Sequence, residues 1–385
     1  MARSLTSTKA VKFSESVIRE MTRLALQHGA VNLSQGFPDF PAPEPLKRAA
    51  IAAIQDDVNQ YAITWGAAPL REAIARKAKR YNGIEADPRK NITVTCGATE
   101  GMICALMGII NPGDEVVIFE PFYENYGPDT ILSGATPRFV KLRVPGWSFD
   151  EKELAKAFNK RTKAVIVTTP NNPTGKVFTR AELGAIAKLC RKWNAFAVTD
   201  EVYEHIIYEG EHVSMASLPG MSDRTLTVTS LSKTFSVTGW RLGYVIAPDR
   251  VSDAVRKVHD FLTVGAPHPL QVAAAAFMDA PGGLFESLAK EYLERRETLY
   301  PVLEETGFRP LGRPAGAYYV MCDISGLKRG SDVDFSRWLV EKGKVAVVPG
   351  SSFFRNPRDG RRLVRFAFCK KLETLRAAAE KLRAL

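Results

Sequence analysis

The sequence of 385 residues has only five cysteines, and no two of them are spaced as Cys-x-x-Cys. An odd number of scattered cysteines favours buried thiols in a reducing compartment over a disulfide framework or a zinc site. The sequence also lacks an apolar run near the roughly 20 residues that a membrane-spanning helix needs. Residues 1–17 contain no apolar core of an export signal. We therefore expect a cytoplasmic protein with no membrane association and no metal site.

The formal net charge of +11 is the feature that could indicate a nucleic-acid partner. The basic residues, however, are spread through amphipathic segments such as LREAIARKAKRY (70–81). No basic block is interleaved with aromatic residues, and no helix-turn-helix or RNA-binding signature is present. We expect no nucleic-acid partner, and small anionic metabolites suit the basic surface better.

The order of apolar segments predicts an α/β fold. Between residues 91 and 247, β-branched apolar runs alternate with helical segments of about a dozen residues, which is typical of a mostly parallel sheet covered by helices on both faces. After a long predicted helix near 283–306, short strands and two helices predict a small α+β domain. Residues 1–45 precede the sheet and are expected to join that domain. The predicted domains are therefore 46–289, and 1–45 together with 290–385.

The stretch from Thr225 to Tyr244, TLTVTSLSKTFSVTGWRLGY, starts as a strand and continues into a polar turn. Lys233 lies just past the strand end, where open α/β sheets bind ligands. Ser230 precedes it and Arg241 follows eight residues later, so an amine lies beside anion-binding groups. This arrangement suits an aldehyde cofactor that carries a phosphate.

Two other interpretations apply to Lys233. A lysine after a strand is commonly a solvated loop residue. Ser230 and Lys233 also match the Ser-x-x-Lys pair of penicillin-binding proteins, but the Ser-Asp-Asn and Lys-Thr-Gly strings that those enzymes need are absent. The residues at the other strand ends therefore determine whether Lys233 is interpreted as a solvated loop residue or as part of a cofactor site.

Polar groups follow three further predicted strands. Ala98 and Thr99 open a helix after Gly97, a turn that suits phosphate. Asn172 follows the strand at 163–169, and Asp200 and Tyr203 follow the strand at 195–200. Each residue alone is more often a helix cap or a packing residue. Together they supply what pyridoxal phosphate needs: an acid for the ring nitrogen, donors for its phenolic oxygen and an anchoring lysine.

Four motifs, in order and spacing, resemble those of the class I aminotransferases, which are pyridoxal phosphate enzymes of fold type I. They are NNPTG (171–175), DEVY (200–203), SLSKTFSVTGWRLGY (230–244) and LVRF (363–366). The resemblance covers essentially the whole chain. The strings VNLSQGFPDFPAP, NQYAITWG, EPFYENY and VAVVPGSSFF are similar to the branch that contains kynurenine and glutamine–phenylpyruvate aminotransferases. The resemblance implies an aspartate aminotransferase-like fold with a seven-stranded sheet.

The resemblance also implies a role for each residue that matches a family motif. Lys233 would form the Schiff base with the cofactor and carry the proton. The groups that would contact the cofactor are Asp200 at the ring nitrogen, Tyr203 and Asn172 at the phenolic oxygen, Tyr123 on the ring face, and Ser230, Arg241 and the backbone of Ala98 and Thr99 at the phosphate. Tyr61 would reach the phosphate of a second subunit, which implies a homodimer with shared active sites.

The substrate would be held by Arg365, with Asn172 beside it, and by the backbone of Gly36. A lone arginine in the apolar strand LVRFAF needs an anion, and no neighbour in that strand supplies one. The implied reaction is ping-pong transamination between an L-amino acid and a 2-oxo acid. A cysteine-S-conjugate β-lyase and an aspartate-type aminotransferase are the alternative activities on this scaffold.

The sequence departs from the kynurenine-type pattern at Ile18 and Ala266, where large aromatic side chains are expected. Smaller residues there predict a roomy apolar pocket wall, with Tyr61, Trp65 and Tyr123 near it. No second arginine is evident for a side-chain carboxylate, so neutral, aromatic or sulfur-containing donors are expected to be preferred. His268 is open to two interpretations, a pocket residue or a helix cap.

Overall fold

The computed structural model describes residues 5–13, 15–278, 284–327 and 330–385. In chain order, its helices are α1 (Val17–His28), α2 (Glu44–Gln55), α3 (Ala68–Lys77), α4 (Gly97–Ile109), α5 (Tyr126–Leu132), α6 (Glu151–Ala157), α7 (Arg180–Trp193), α8 (Leu231–Thr234), α9 (Asp249–Thr263), α10 (His268–Met278), α11 (Leu284–Glu305), α12 (Asp332–Glu341) and α13 (Leu372–Arg383). Within these ranges, no helix is long and apolar enough to cross a bilayer.

The strands are short and alternate with the helices in the first two thirds of the chain. They are β1 (Val31–Asn32), β2 (Ile92–Thr95), β3 (Glu115–Glu120), β4 (Thr136–Lys141), β5 (Thr162–Thr168), β6 (Phe196–Asp200), β7 (Thr225–Ser230), β8 (Gly243–Ile246), β9 (Arg309–Pro310), β10 (Tyr319–Asp323), β11 (Val345–Ala346), β12 (Val348–Pro349) and β13 (Leu363–Ala367).

Seven strands form the central sheet in the order β2-β8-β7-β6-β5-β3-β4. The strands from β7 to β4 are parallel, and β8 is antiparallel to both of its neighbours. Every residue of β3, β6 and β7 is buried, because apolar clusters cover both faces of the sheet. Burial on both faces explains why these strands are continuous apolar runs in the sequence. The predicted mostly parallel, seven-stranded sheet is confirmed.

The C-terminal part of the chain forms a second sheet, β12-β13-β10-β9, which is antiparallel. Separately, β1 pairs in parallel with β11, with Val31 opposite Val345. The N-terminal segment therefore packs with the C-terminal part of the chain through this strand pair. The division at residues 45/46 and 289/290 stays a prediction.

The amphipathic pattern of residues 11–30 predicts one helix that stops at Gly29, but the observed first helix is shorter. Ser16 caps α1 by accepting a hydrogen bond from the backbone N–H of Arg19, so the helix begins at Val17. It ends at Gly29, which has a left-handed φ of 58°, as the sequence indicated. The sequence also predicts a helix over 268–279 and a long helix from about 283; residues 279 and 283 lie outside the described residues.

Candidate active site

The carboxyl ends of β5, β6 and β7 open into a cavity of about 980 Å³, its mouth included. Parallel strands place these ends at one edge of the sheet, and the predicted site residues follow them. The cavity brings together all the predicted site residues except Tyr61: Gly36, Ala98, Thr99, Tyr123, Asn172, Asp200, Tyr203, Ser230, Lys233, Arg241 and Arg365.

Lys233 lies on the one-turn helix α8, directly after β7. Ser230 caps this helix by accepting a hydrogen bond from the N–H of Ser232 at 2.9 Å. The Lys233 ammonium donates to the carbonyl oxygen of Gly36 at 3.0 Å. Burial lowers the pKa of Lys233 to about 8, although the charge of Asp200 acts in the opposite direction. The amine is therefore much closer to its neutral, nucleophilic form than a solvated lysine.

Asp200 ends β6 and is buried. Its Oδ2 accepts a hydrogen bond from the Tyr126 hydroxyl at 2.6 Å, and the Thr168 hydroxyl donates to Tyr126 at 2.7 Å. The backbone N–H of Val202 donates to Oδ1 at 3.3 Å. Burial raises the pKa of Asp200, while these donors and the charge of Lys233 oppose that rise. The site therefore contains a desolvated carboxylate held by donors, which suits a cationic N–H ligand.

Tyr126 was missed by the sequence analysis. It lies within the quoted string EPFYENY, three residues after Tyr123, and begins α5. The spacing could have suggested that both tyrosines face the same side of a turn. Nothing in the sequence indicates that the hydroxyl of Tyr126 reaches Asp200, 74 residues away.

Arg241 faces the cavity with a left-handed φ of 53°. Its guanidinium donates to two backbone carbonyls, those of Thr238 at 3.0 Å and Cys96 at 3.1 Å. Within the described part of the chain, no carboxylate forms an ion pair with it. The charge of Arg241 is therefore available to an anion.

Two glycines bring Arg241 close to the start of α4. A Cβ on Gly97 would lie 2.3 Å from a guanidinium nitrogen of Arg241, and one on Gly243 would lie 2.5 Å from the carbonyl carbon of Gly97. The first N–H groups of α4, including those of Ala98 and Thr99, have no partner within the helix. Together with the arginine, they form a cradle for a phosphate.

Arg365 is fully buried on β13, between β10 and β12. Its guanidinium donates to Asn172 Oδ1 at 2.7 Å and to the carbonyl of Ser34 at 2.5 Å, and Nε has no partner. No acid among the described residues pairs with it. A buried cation with an unsatisfied donor strongly favours an anionic ligand.

Tyr319, which lines the cavity, and Tyr318 beside it were not singled out by the sequence analysis. The Tyr319 hydroxyl lies 2.9 Å from that of Tyr203, and Tyr318 donates to the carbonyl of Gly36 at 3.0 Å. A Cβ on Gly36 would lie 1.9 Å from the Tyr319 oxygen. Glycine at position 36 is thus explained by the close approach of a tyrosine.

Part of the predicted pocket wall lies elsewhere. Ile18 and Tyr123 line the cavity, but Ala266, Tyr61 and Trp65 do not line the cavity of a single chain. Ala266 is buried in an apolar cluster with residues of α3 and α10. Ala266 therefore does not reach the cavity of its own chain, and its place in the wall of a pocket shared by two subunits stays a prediction. The Tyr61 side chain is 82% exposed.

His268 does not act as a side-chain helix cap, and its interpretation as a pocket residue stays a prediction. It begins α10, and its Nδ1 lies 3.0 Å from the carbonyl oxygen of Gln60. It does not line the cavity. The histidine instead ties α10 to the loop that carries Tyr61.

Comparisons with known proteins agree with this geometry. The family described as aminotransferase class I and II matches residues 28–382. The chain belongs to this aminotransferase family. The methionine aminotransferase of Escherichia coli K12 is 37% identical over 98% of each chain, and human kynurenine–oxoglutarate transaminase 1 is 37% identical over 94% of each. The structure of N-succinyldiaminopimelate aminotransferase from Mycobacterium tuberculosis, also 37% identical, matches with a TM-score of 0.95 over 98% of this chain and 99% of that one.

The aminotransferase uses pyridoxal phosphate, and the groups in the cavity fit that cofactor. The uncompensated charge of Arg241 beside the N–H groups of α4 suits the phosphate. The Asp200 carboxylate suits the protonated ring nitrogen, and the Lys233 amine suits the aldehyde. The branch resemblance seen in the sequence is also confirmed by these relatives.

Proposed function

We propose that this aminotransferase transfers the amino group of neutral L-amino acids, aromatic or sulfur-containing, to a 2-oxo acid by a ping-pong mechanism. The observation that carries the proposal is the charge distribution of the cavity. Arg365 is its one fully buried cation among the described residues, and it suits the α-carboxylate that every substrate shares. The side-chain end is lined by apolar or aromatic groups, including Ile18 and Tyr123. The names of the Escherichia coli and human relatives support the same substrate class.

A third arginine, Arg19, which the sequence analysis did not find, lines the cavity besides Arg241 and Arg365. Arg19 is exposed at the mouth of the cavity, and the acidic Glu124 lies at the same mouth. A solvated guanidinium discriminates weakly, because water and salt screen its charge. We therefore assign the preference for neutral amino donors to the apolar wall of the cavity. If the enzyme instead accepts aspartate, Arg19 is the cation that would bind its side-chain carboxylate, and the experiment below tests this.

The proposed chemistry divides the work among residues of the cavity. Arg365 and Asn172 would hold the substrate α-carboxylate, with the backbone of Gly36 beside it. Nζ of Lys233 would accept the proton from the substrate Cα and return it on the cofactor side. Pyridoxal phosphate, when bound, supplies the electron sink that makes the Cα proton acidic. Asp200 would keep the ring nitrogen protonated and so maintain that sink.

The remaining cavity residues would position the cofactor. Tyr203 and the free amide nitrogen of Asn172 would donate to the phenolic oxygen, and Tyr123 would stack on the ring. The groups proposed for the phosphate are Ser230, Arg241 and the backbone N–H groups of Ala98 and Thr99. The cradle of glycines around Arg241 supports this placement.

We further propose a homodimer in which Tyr61 completes the phosphate site of the partner subunit. Tyr61 and Phe261 are 82% and 91% exposed, and Ile63, Leu262 and Val264 are also exposed. Phe261 and Leu262 lie in the last turn of α9, Val264 follows it, and Tyr61 and Ile63 lie in the loop before α3. Exposed apolar side chains on such neighbouring segments are typical of a subunit interface.

The predicted domain division and location belong to the same proposal. The separate sheets, and the pairing of β1 with β11, support a large domain of residues 46–289 and a small domain of 1–45 with 290–385. All five cysteines are unpaired, which supports a reducing, cytoplasmic environment.

The substrate proposal is tested by kcat/KM for methionine, phenylalanine, glutamine and aspartate with one common 2-oxo acid acceptor. Methionine or phenylalanine should exceed aspartate, since among the described residues that line the cavity no second arginine is buried to pair with a side-chain carboxylate. Aspartate ahead of both by tenfold, about 1.4 kcal/mol, would overturn the proposal. If Arg19→Ala then removed the aspartate activity selectively, Arg19 would be the cation responsible.

A further inference from the structure

Tyr319 lines the cavity but has no role in the chemistry above. Its hydroxyl oxygen lies 2.9 Å from that of Tyr203, and both residues line the cavity. Tyr203 follows β6 of the central sheet, whereas Tyr319 is the first residue of β10 in the second sheet. Both side chains are buried. The pair of hydroxyls therefore joins the two sheets beside the proposed cofactor site.

The ring of Tyr319 contacts a second group of the cavity, the guanidinium of Arg365. The central carbon of this guanidinium lies 4.3 Å from the centre of the Tyr319 ring and 5.0 Å from that of Phe353. A cation over an aromatic face is attracted by the ring, and more strongly where both are shielded from water. Tyr319 thus contacts the proposed carboxylate clamp with its ring and a proposed cofactor ligand with its hydroxyl.

The direction of the hydrogen bond between the two tyrosines follows from their protons. Burial raises the pKa of Tyr319 to about 12 and the pKa of Tyr203 well above its ordinary value, so both hydroxyls stay protonated at neutral pH. Each hydroxyl has one proton to donate. If Tyr203 donates to the phenolic oxygen of the cofactor, it can only accept from Tyr319. A donor behind a hydroxyl polarises it and strengthens the bond that the hydroxyl itself donates.

We propose that Tyr319 is a positioning residue for both ligands of the cavity. Its hydroxyl donates to Tyr203 and so directs the Tyr203 proton to the phenolic oxygen, and its ring holds the Arg365 guanidinium in place for the substrate carboxylate. This inference rests on the roles proposed above for Tyr203 and Arg365.

The Schiff base that the cofactor would form with Lys233 reports the strength of the bond from Tyr203. A donor to the phenolic oxygen offsets the negative charge that stabilises the protonated Schiff-base nitrogen, so it lowers the pKa of that nitrogen. Tyr203→Phe should therefore raise this pKa by about 1 to 2, and Tyr319→Phe should raise it by a smaller amount, about 0.3 to 1. The substitutions leave in place the other ionisable groups around Lys233 and the tyrosine pair, which are Asp200, Arg241, Tyr318, Arg365 and Cys369.

The pKa is measured from the absorbance of the holoenzyme across pH, because the protonated and neutral Schiff bases absorb at different wavelengths. Tyr292→Phe is the matched control, since the hydroxyl of Tyr292 is buried without a hydrogen-bond partner, and its pKa should equal that of the wild type. An unchanged pKa in Tyr319→Phe, together with a raised pKa in Tyr203→Phe, would overturn the role of the Tyr319 hydroxyl.

Binding of 3-phenylpropionate, a carboxylate without an amino group, tests the ring of Tyr319. At a pH below the spectral transition of every variant, Tyr319→Phe should keep the Kd within twofold of the wild type, because the ring remains. A general disturbance of the site would instead change both the Kd and the Schiff-base pKa. Tyr319→Leu removes the ring, so its Kd should rise by about 3- to 10-fold.

Tyr319→Met serves if the leucine variant does not fold. A Kd for either variant equal to that of Tyr319→Phe would overturn the role of the ring. Failure of the underlying assignments looks different. An unchanged pKa in Tyr203→Phe would refute the proposed role of Tyr203, and a wild-type holoenzyme without a pH-dependent absorbance would refute attachment of the cofactor to Lys233.

Discussion

Replacement of Tyr126 by phenylalanine removes one hydroxyl that links the scaffold to the reacting centre. The Tyr126 hydroxyl donates to Asp200 at 2.6 Å and itself accepts from Thr168 at 2.7 Å. Because Asp200 is buried, the loss of this donor should raise its pKa further and weaken its hold on the protonated ring nitrogen. The electron sink would then be weaker, and removal of the Cα proton slower.

The size of the effect follows from the type of hydrogen bond. A bond to a buried charged group contributes about 1.5–3 kcal/mol. If most of this energy is used in the transition state, kcat should fall by about 10- to 100-fold, since about 1.4 kcal/mol corresponds to tenfold. Thr168→Val removes a bond between two neutral hydroxyls, so its effect should be smaller and in the same direction.

The assay is steady-state kcat with a saturating amino donor and saturating cofactor. Tyr292→Phe is the matched control, because the hydroxyl of Tyr292 is buried without a hydrogen-bond partner and lies in the apolar core. Its kcat should equal that of the wild type. A Tyr126→Phe enzyme within twofold of the wild type would show that this hydroxyl does not support Asp200.

Two further predictions concern the anchor lysine and the assembly. Borohydride reduction and peptide mapping should place the pyridoxyl group on Lys233, and a label on another lysine would contradict the assignment. The Lys233→Ala protein should retain the cofactor non-covalently while its turnover falls by several orders of magnitude. Mixing a Tyr61→Phe protein with a Lys233→Ala protein should restore part of the activity, because some mixed dimers would contain one intact site. Full activity of the wild type as a monomer at high dilution would contradict shared sites.

The sequence alone indicated most of the cavity because its residues follow strand ends. The apolar runs at β5, β6 and β7 are readable, and parallel strands bring Asn172, Asp200 and Lys233 to one edge of the sheet. Arg365 was recognised from its isolation in an apolar strand, and its unsatisfied Nε agrees with that interpretation. These inferences need only local pattern and sheet topology.

Contacts between distant segments were decided by the tertiary structure. The bond from Tyr126 to Asp200, the approach of Tyr319 to Gly36 and the inward position of Ala266 depend on how helices and sheets pack. Asp129 is the clearest example, since a single Asp in a short helix is ordinarily solvated. Only packing shows that it is buried and unpaired, because burial and hydrogen bonding are properties of the assembled fold.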